Sequence, residues 1–243
     1  MRRIAAQRFR GRPLTPGRVV AWLAAGIAAV VLLWLVWIAG HIAWWRDHPP
    51  AETSFMAQRM DEAQTKNPKA RLRYQWVDYG RIAPALKRAV VAAEDARFAD
   101  HEGFDWDGIE RALEKNQRKG RIVAGGSTIT QQLAKNLFLS PTRSYFRKGQ
   151  EAVITVLLEA LLTKRRILEL YLNVIEWGNG VFGAEAAARH YFGVGAAQLS
   201  VEQAARLAAM APNPRFYERN PGAPGLNRKI GIIIARMPSA ELP

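Results

Sequence analysis

Near the N-terminus, one long stretch of the chain is apolar. From Val19 to Gly40 no residue carries a formal charge. A helix rises ~1.5 Å per residue, so these residues would span about 33 Å, the thickness of the hydrocarbon core of a bilayer. Trp22 lies near one end and Trp44 and Trp45 follow the other, as aromatic residues do at membrane interfaces. The pattern predicts a transmembrane helix.

A cleaved signal peptide is the alternative interpretation of this stretch. Its apolar part is longer than that of a signal peptide, and no small-x-small cleavage site follows it before Trp44. Six arginines precede it, and residues 1–46 contain no acidic residue. Because basic flanks stay in the cytoplasm, we expect a cytoplasmic N-terminus and a single membrane pass, with residues 47–243 outside.

Beyond the anchor, the spacing of apolar residues predicts mostly helices, and the predicted fold class is mainly α. One short strand is expected within Leu72–Val77. The predicted helices are Ala85–Phe98, one from the cap Asp105 to Gly120, one that begins near Ser127, a long one over Ser144–Trp177 that bends around Thr163, and three shorter ones at Ala184–Phe192, Val201–Met210 and Gly225–Arg236. On the helix that follows Asp105, the residues expected to face the core are Ile109, Ala112, Leu113 and Asn116. The apolar positions of the long helix are Val153, Val156, Leu157, Ala160 and Leu161. The predicted organisation is a basic tail (1–18), a transmembrane helix (19–40), a membrane-proximal linker (41–74) and one domain (75–240).

The chain is strongly basic, with 243 residues and a net charge of +14. The seven arginines of residues 1–46 account for half of this, which leaves +7 on residues 47–243. A basic surface favours anionic partners: nucleic acid, phosphorylated substrates or an acidic membrane. The expected placement outside the cytoplasm argues against nucleic acid. The chain contains no cysteine, which excludes disulfides and thiolate metal sites.

Acidic residues gather at the end of the predicted helix Ala85–Phe98. Glu94 and Phe98 are four residues apart and would share a helix face, so the aromatic ring would partly desolvate the carboxylate and raise its basicity. Glu94 is therefore a candidate general base. The alternative is a solvated, charged helix end in which Arg97 pairs with Asp95 or Asp100. Taken alone, His101 is better explained as a structural hydrogen bonder.

A polar stretch, GGSTITQQLAKN, runs from Gly125 to Asn136. The two glycines permit a tight turn, and Ser127 is a candidate cap of the helix that follows. The free N–H groups of such a helix would face an anion. A capping motif alone does not account for the polar side chains that continue along the helix, so a phosphate- or sugar-binding surface is favoured. These side chains are Gln131, Gln132, Lys135 and Asn136.

Two cations and a carboxylate open the long helix, at Arg147, Lys148 and Glu151. They form either a salt-bridged first turn or part of an anion site. Nearby apolar residues are candidates for the core or for contact with a bilayer. They are Leu137, Phe138, Leu139, Tyr145 and Phe146.

Taken together, these motifs resemble the peptidoglycan glycosyltransferase family, the lysozyme-like polymerases of lipid II. The family pattern E-D-x-x-F-x-x-H-x-G is met by Glu94, Asp95, Phe98, His101 and Gly103. The pattern G-G-S-T-I-T-Q-Q-x-x-K-N is met from Gly125 through Gly126, Ser127 and Thr128 to Asn136. R-K-x-x-E-A is met by Arg147, Lys148, Glu151 and Ala152, and K-x-x-I-L-E-x-Y-L-N is met from Lys164 to Asn173. The residues from Gly180 to Gly193 resemble a fifth motif of the family. The next residue, Val194, departs from the pattern, because many relatives carry a basic residue there. The resemblance covers residues 75–240.

The resemblance implies inverting transfer from a lipid diphosphate to the 4-hydroxyl of an incoming sugar. It implies two catalytic carboxylates, Glu94 as the base and Glu151 as the group that holds the cations. Substrate-binding residues would be Ser127, Gln131, Gln132, Lys135, Asn136, Arg147 and Lys148. Asp95, Phe98, His101, Gly125, Gly126 and Thr128 would support the site.

The implied partners are lipid II, the growing glycan strand, the membrane and other proteins of cell-wall synthesis or division, with no nucleic acid. The location would be the inner membrane, with a periplasmic catalytic domain. No cofactor is expected to be required, although a divalent cation, Mg²⁺ or Mn²⁺, would suit Glu151. The sequence contains no S-x-x-K or K-T-G, so transpeptidase activity is not expected. The alternatives are a lysozyme-like hydrolase and a non-catalytic membrane-anchored scaffold.

Overall fold

The computed structural model describes residues 15–121, 125–140 and 144–243. Most of the predicted basic tail therefore lies outside the described residues. The chain divides into two compact units, residues 1–41 and 42–243. The first unit consists, where described, of the apolar helix α1, Pro16–Trp45, whose last residues belong to the second unit. In the described part of the chain, α1 alone is long and apolar enough to cross a membrane, with a mean hydropathy of 2.6.

The second unit is helical apart from one small sheet. Its helices are α2 Ser54–Lys66, α3 Pro84–Glu94, α4 Trp106–Lys119, α5 Ile129–Phe138, α6 Tyr145–Leu161, α7 Lys164–Val174, α8 Ala184–Phe192, α9 Val201–Met210, α10 Pro214–Arg219 and α11 Leu226–Arg236. The mainly α fold class is confirmed. The helices of the second unit are consistent with the expected lysozyme-like fold. Residues 41–74, predicted as a linker, contain α2, which packs on α5.

The sheet has three short strands, β1 Arg73–Tyr74, β2 Glu176–Gly178 and β3 Val181–Phe182, in the order β1-β3-β2. β1 runs parallel to β3, and β2 runs antiparallel to β3. Gly183, which follows β3, has φ +82°, and a Cβ there would lie 2.6 Å from the carbonyl oxygen of Asn173. Only glycine accommodates both the left-handed backbone and this close approach.

Two groups of helices form the core. α3 packs on α9 and α11, and α5 packs on α6 and α7. α7 buries seven of its eleven residues, including Tyr171. Its Asn173 bonds both the N–H and the carbonyl of Val77, at 2.9 Å each, which fixes the chain before α3.

Several helix ends follow the predicted caps. Asp105 accepts a hydrogen bond from the N–H of Gly108 and begins α4, and Gly120, at φ +61°, ends it. The predicted bend at Thr163 is a break, because the Thr163 hydroxyl caps a new helix, α7, by accepting from the N–H of Arg166.

The expected inward faces of α4 and α6 are only partly confirmed. On α4 Ala112 is buried and Ile109 and Asn116 are half-buried. Leu113 is 56% exposed, and Val153 and Val156 are 41% and 55% exposed. On α6 the buried side consists of Glu151, Ile154, Thr155 and Leu158, so polar and apolar residues share it. An apolar stripe marks one helix face without stating what covers it.

Candidate active site

Glu94 is the last residue of α3. Pro84 begins the helix, and the extended backbone of Asp95, at φ −161°, ends it. The Glu94 carboxylate accepts a hydrogen bond of 2.8 Å from the Gln132 amide, whose own oxygen accepts one of 2.9 Å from the Tyr171 hydroxyl. Burial raises the pKa of Glu94; the Gln132 bond and the charges of Lys229 and Lys135 oppose this rise without cancelling it. A carboxylate of raised basicity suits a general base.

The sequence analysis attributed the raised basicity of Glu94 to the Phe98 ring on the same helix face, and this attribution is wrong. α3 ends at Glu94, so Phe98 does not lie one turn farther along the same helix. The Phe98 ring is fully buried in the core, and the Lys164 ammonium lies 4.6 Å from its centroid. Phe98 therefore supports the segment after α3 by packing.

Asp95 joins the end of α3 to the start of α5. One carboxylate oxygen accepts the N–H of Ile129 at 2.9 Å, and the other lies 2.9 Å from Nε2 of His101. The side chains of Asp95 and His101 are only 2% and 7% exposed. Arg97 pairs with Asp100, as the alternative interpretation allowed, and also with Asp105 and Asp107, but not with Asp95. Asp95 thereby sets the spacing between Glu94 and Gln132.

The cap of α5 is Thr128, one residue after the predicted Ser127. Thr128 and Gln131 form a capping box, in which the Thr128 hydroxyl accepts from the N–H of Gln131 and the Gln131 amide oxygen accepts from that of Thr128. Gln131 is buried in this role. Ser127 is exposed. The capping interpretation therefore accounts for two residues of the polar stretch and leaves Gln132, Lys135 and Asn136 to be explained.

The two glycines before the cap do not have left-handed backbones. Gly126 is needed for another reason, since a Cβ there would lie 3.1 Å from Cα of Ile109 on α4. The turn therefore passes close to α4, while Gly125 has open space around its Cα.

The next two polar residues of α5 differ in environment. The Asn136 amide donates to the carbonyl oxygen of Gln132 at 2.8 Å, within the helix. Lys135 is half-buried, and burial lowers the pKa of its ammonium; the charges of Glu151 and Glu94 oppose this effect. Lys135 thus lies electrostatically between the two carboxylates that the sequence singled out.

Glu151 holds two cations. Its buried carboxylate accepts from Arg147 at 3.2 Å and from the Lys148 ammonium, both on the preceding turn of α6. The buried Nε of Arg147 has no hydrogen-bond partner among the described residues. A buried donor without a partner is costly, and a ligand oxygen would satisfy it.

Two cavities flank these residues. The first, of about 240 Å³, is lined by Gln132, Lys135 and Asn136 on one side. Its other wall comes from α2, β2, α10 and the segment before α10, and it includes Arg59 of α2, Glu176 of β2 and Arg215 of α10. The second cavity, of about 170 Å³, is lined by Glu94 itself, and by Asp95, Gly125, Gly126, Ser127, Thr128 and Arg236 among others. The polar stretch is therefore divided between two cavities.

Sequence reasoning missed the far wall of the first cavity. Both oxygens of Glu176 are engaged, one by Nε of Arg59 at 3.1 Å and one by Nε of Arg215 at 2.7 Å. Glu62 on α2 pairs with both arginines. Arg59 and Glu62 are three positions apart on α2, but Glu176 and Arg215 are too far from them in the chain for a local pattern to signal the cluster. Sequence reasoning also missed Arg236, which lines the second cavity. A local pattern could have pointed to it, because Lys229 and Arg236 are seven residues apart on α11 and share a helix face.

Metal ligands are sparse around the site. Within residues 15–121, 125–140 and 144–243, no three histidine, aspartate or glutamate side chains form a group that could hold a metal ion. The divalent cation considered for Glu151 stays a prediction. In the structure, the Glu151 carboxylate forms ion pairs with Arg147 and Lys148.

The chain belongs to the transglycosylase family, whose sequence model matches residues 60–238. It is accordingly a glycosyltransferase enzyme. It is 62% identical over 227 residues to the biosynthetic peptidoglycan transglycosylase of Dechloromonas aromatica (strain RCB), a match that covers 93% of this chain and 98% of the relative. It is 64% identical over 225 residues to the protein of the same name from Azoarcus sp. (strain BH72), covering 91% and 97% of the two chains. The family resemblance found in the sequence is confirmed.

Proposed function

We propose that this enzyme polymerises lipid II into linear peptidoglycan glycan strands, with inversion at the anomeric carbon and release of undecaprenyl diphosphate. The observation that carries the proposal is the half-buried carboxylate of Glu94, linked through Gln132 to a helix that also presents Lys135 to the Glu151 cluster. The sequence contains neither S-x-x-K nor K-T-G, so the proposal includes no transpeptidation.

In the proposed reaction, Glu94 removes the proton from the 4-hydroxyl of the acceptor sugar. The hydroxyl oxygen forms a bond to the anomeric carbon of the donor, and the bond from that carbon to the diphosphate oxygen breaks. The diphosphate leaves with the electron pair. An alcohol is a poor nucleophile at neutral pH, so the base acts as the new bond forms.

A departing diphosphate needs neutralisation of charge more than it needs a proton. Lys135, Arg147 and Lys148 supply three positive charges, and Glu151 holds two of them in place. The unpartnered Nε of Arg147 is suited to donate to a phosphate oxygen. We propose that Gln132 and Asn136 contact sugar or phosphate oxygens beside this cluster, and that Ser127 contacts substrate in the second cavity, next to Glu94. We also propose that a divalent cation is not required.

The cationic cluster favours a transferase over a hydrolase. A lysozyme-like hydrolase expels a sugar hydroxyl, which needs an acid and no cluster of cations. The test is to incubate the purified protein with lipid II and to separate the products on a gel. Polymer supports the proposal, whereas shortened glycans released from finished peptidoglycan would identify a hydrolase. Addition of EDTA, followed by Mg²⁺ or Mn²⁺, measures any contribution of a metal.

Replacement of Arg147 with Ala is expected to weaken binding of the donor and to slow turnover. A lost charge-assisted contact costs about 1.5–3 kcal/mol, which is roughly a ten- to hundred-fold loss of affinity. The measurement is the affinity for an anionic, phosphate-containing inhibitor of the moenomycin type. Arg118→Ala is the matched control, because Arg118 is an exposed arginine on α4 that pairs with Glu114. Equal affinity in the Arg147 variant and the wild type would remove Arg147 from the proposed site.

We also propose that α1 anchors the protein in the inner membrane with the catalytic domain in the periplasm. The support is the apolar helix and the six arginines before it. Exposed apolar side chains near the candidate site would suit contact with the same bilayer. Tyr145 and Phe146 are 99% and 78% exposed, whereas Leu137 and Leu139, which were considered with them, are buried. Partners in cell-wall synthesis or division stay a prediction.

Removal of residues 1–41 is expected to leave a folded domain that polymerises lipid II more slowly, because enzyme and substrate no longer share a surface. The cut precedes Trp45, whose carbonyl accepts from Arg166 at 2.8 Å and whose ring lies 5.2 Å from that of Phe138. The measurement is sedimentation with membranes after an alkaline wash, together with the rate of polymerisation. A shortened protein that resisted the wash as the full chain does would show that α1 is not the main anchor.

A further inference from the structure

The last turn of α1 is bound by an arginine from another helix. Trp45 ends α1, so its carbonyl oxygen has no partner within the helix. Nε of Arg166, in the first turn of α7, donates to this oxygen at 2.8 Å, and Nη2 of the same guanidinium donates to the carbonyl oxygen of His48 at 2.8 Å. The last turn of α1 contains no basic residue of its own. Arg166 therefore supplies the positive charge that stabilises a helix C-terminus.

The guanidinium of Arg166 is held in this position from all sides. Its Nη1 pairs with Glu169 at 2.6 Å, and its central carbon lies 5.1 Å from the centroid of the Trp76 ring. The other oxygen of Glu169 accepts from the backbone N–H of Tyr79 at 2.6 Å. The Arg166 side chain is only 14% exposed, and it lines neither of the two cavities described above. All three guanidinium nitrogens are thus engaged outside the candidate active site.

Apolar contacts reinforce this attachment. Residues 42–45 of α1 belong to the second unit. Ile42 and Trp45 are buried, and the ring of Trp45 lies 5.2 Å from that of Phe138 at the end of α5. Just after the helix, the ring of His48 stacks on that of Trp44 at 3.7 Å. The end of the apolar helix is therefore part of the domain, where the sequence predicted the start of a linker.

α7 connects this attachment to the candidate base. Arg166 and Tyr171 are five residues apart on α7, which is about 7.5 Å along the helix axis. The Tyr171 hydroxyl donates to the amide oxygen of Gln132, and the nitrogen of that amide donates to Glu94. One helix thus holds both the end of α1 and the hydrogen-bond chain of the base.

A lipid substrate in a bilayer presents its reacting group at a set depth, so an anchored enzyme must hold its base at a matching height. We propose that Arg166 is a positioning residue: it fixes the end of α1 on α7 and so limits the movement of Glu94 with respect to the bilayer. This inference rests on the proposed function and on the proposed anchor. It gives a role to a position that the motif K-x-x-I-L-E-x-Y-L-N leaves open.

The test compares the full chain in lipid vesicles that contain lipid II with the same protein and lipid II in detergent. In vesicles, Arg166→Ala is expected to polymerise about ten- to hundred-fold more slowly than the wild type, because a misplacement of about 1 Å can cost about a hundred-fold in rate. A detergent micelle reshapes around the protein and lets lipid II reach Glu94 at any tilt of the domain. The rates in detergent are therefore expected to match.

Two further variants sharpen the comparison. Arg166→Met keeps an unbranched stem against Trp76 and removes only the polar contacts, so it serves if Arg166→Ala does not fold. Arg165→Ala is the matched control, because Arg165 is the preceding residue on α7, is exposed and lies 4.7 Å from the Tyr79 ring instead. It is expected to polymerise at the wild-type rate in vesicles and in detergent.

Hydrogen exchange of the full chain supplies a readout that does not depend on polymerisation. The backbone amides of residues 45–48 are expected to exchange faster in Arg166→Met, whereas those of α7 keep their wild-type protection. Unchanged exchange at residues 45–48, a wild-type rate in vesicles, or an equal loss of rate in vesicles and in detergent would each overturn the inference. The proposed function fails in a different way, because then the wild-type protein would make no polymer in detergent.

Discussion

Replacement of Glu94 with Gln is expected to lower the rate of polymerisation about 10²–10⁴-fold while lipid II binding stays largely intact. Glutamine keeps the shape of the side chain and a hydrogen bond to Gln132, but it cannot accept the proton of the acceptor hydroxyl. The measurement is the initial rate of polymer formation and the substrate affinity of each protein. Glu151→Gln is the informative comparison, because it disturbs Arg147 and Lys148 and should lower inhibitor affinity as well as rate. Polymer from Glu94→Gln at the wild-type rate would exclude the mechanism.

The pH dependence of the rate provides a second measurement on Glu94. Its base form is lost as the pH falls through its pKa, and burial raises that pKa. The acid side of the pH–rate profile is therefore expected above the range of an ordinary glutamate. The hydrogen bond from Gln132 lowers the pKa, so Gln132→Leu should move this limb to still higher pH. A limb that moves to lower pH in this variant would contradict the assignment.

Replacement of Asp95 with Ala is expected to destabilise the fold by about 3–5 kcal/mol, the cost of breaking a buried polar pair. The change leaves the N–H of Ile129 and Nε2 of His101 without their partner in the core. Since a domain is stable by only about 5–15 kcal/mol, the loss is a large share of the total. Denaturant titration measures the free energy of unfolding.

Asp95→Asn and Glu114→Ala serve as comparisons for this change. Asparagine keeps the volume but presents an amide group to one of the two donors, so a smaller loss of about 1–3 kcal/mol is expected. Glu114 pairs with Arg118 at the surface, and its removal should change stability little. A midpoint of unfolding for Asp95→Ala equal to that of the wild type would show that Asp95 does not join α3 to α5 energetically.

Much of the architecture could be predicted from the sequence because its causes are local. The apolar stretch predicted α1, the cap Asp105 and the terminator Gly120 predicted α4, and the spacing of apolar residues predicted the three C-terminal helices. The ordered motifs identified the family. Each of these features depends on residues a few positions apart, where backbone preference and helix capping act directly.

What only the tertiary structure decided is how distant residues meet. Glu94, Gln132 and Tyr171 form one hydrogen-bonded chain, although 38 and 39 positions separate consecutive members. Ser127 and Lys135, neighbours in one motif, line different cavities. Helical periodicity indicates that one side of α6 is apolar, but only the tertiary structure shows that the buried side carries Glu151 and Thr155 together with Ile154 and Leu158. The residue types of the candidate site were determined locally, and their partners, burial and charge environment depend on contacts between elements that no short pattern contains.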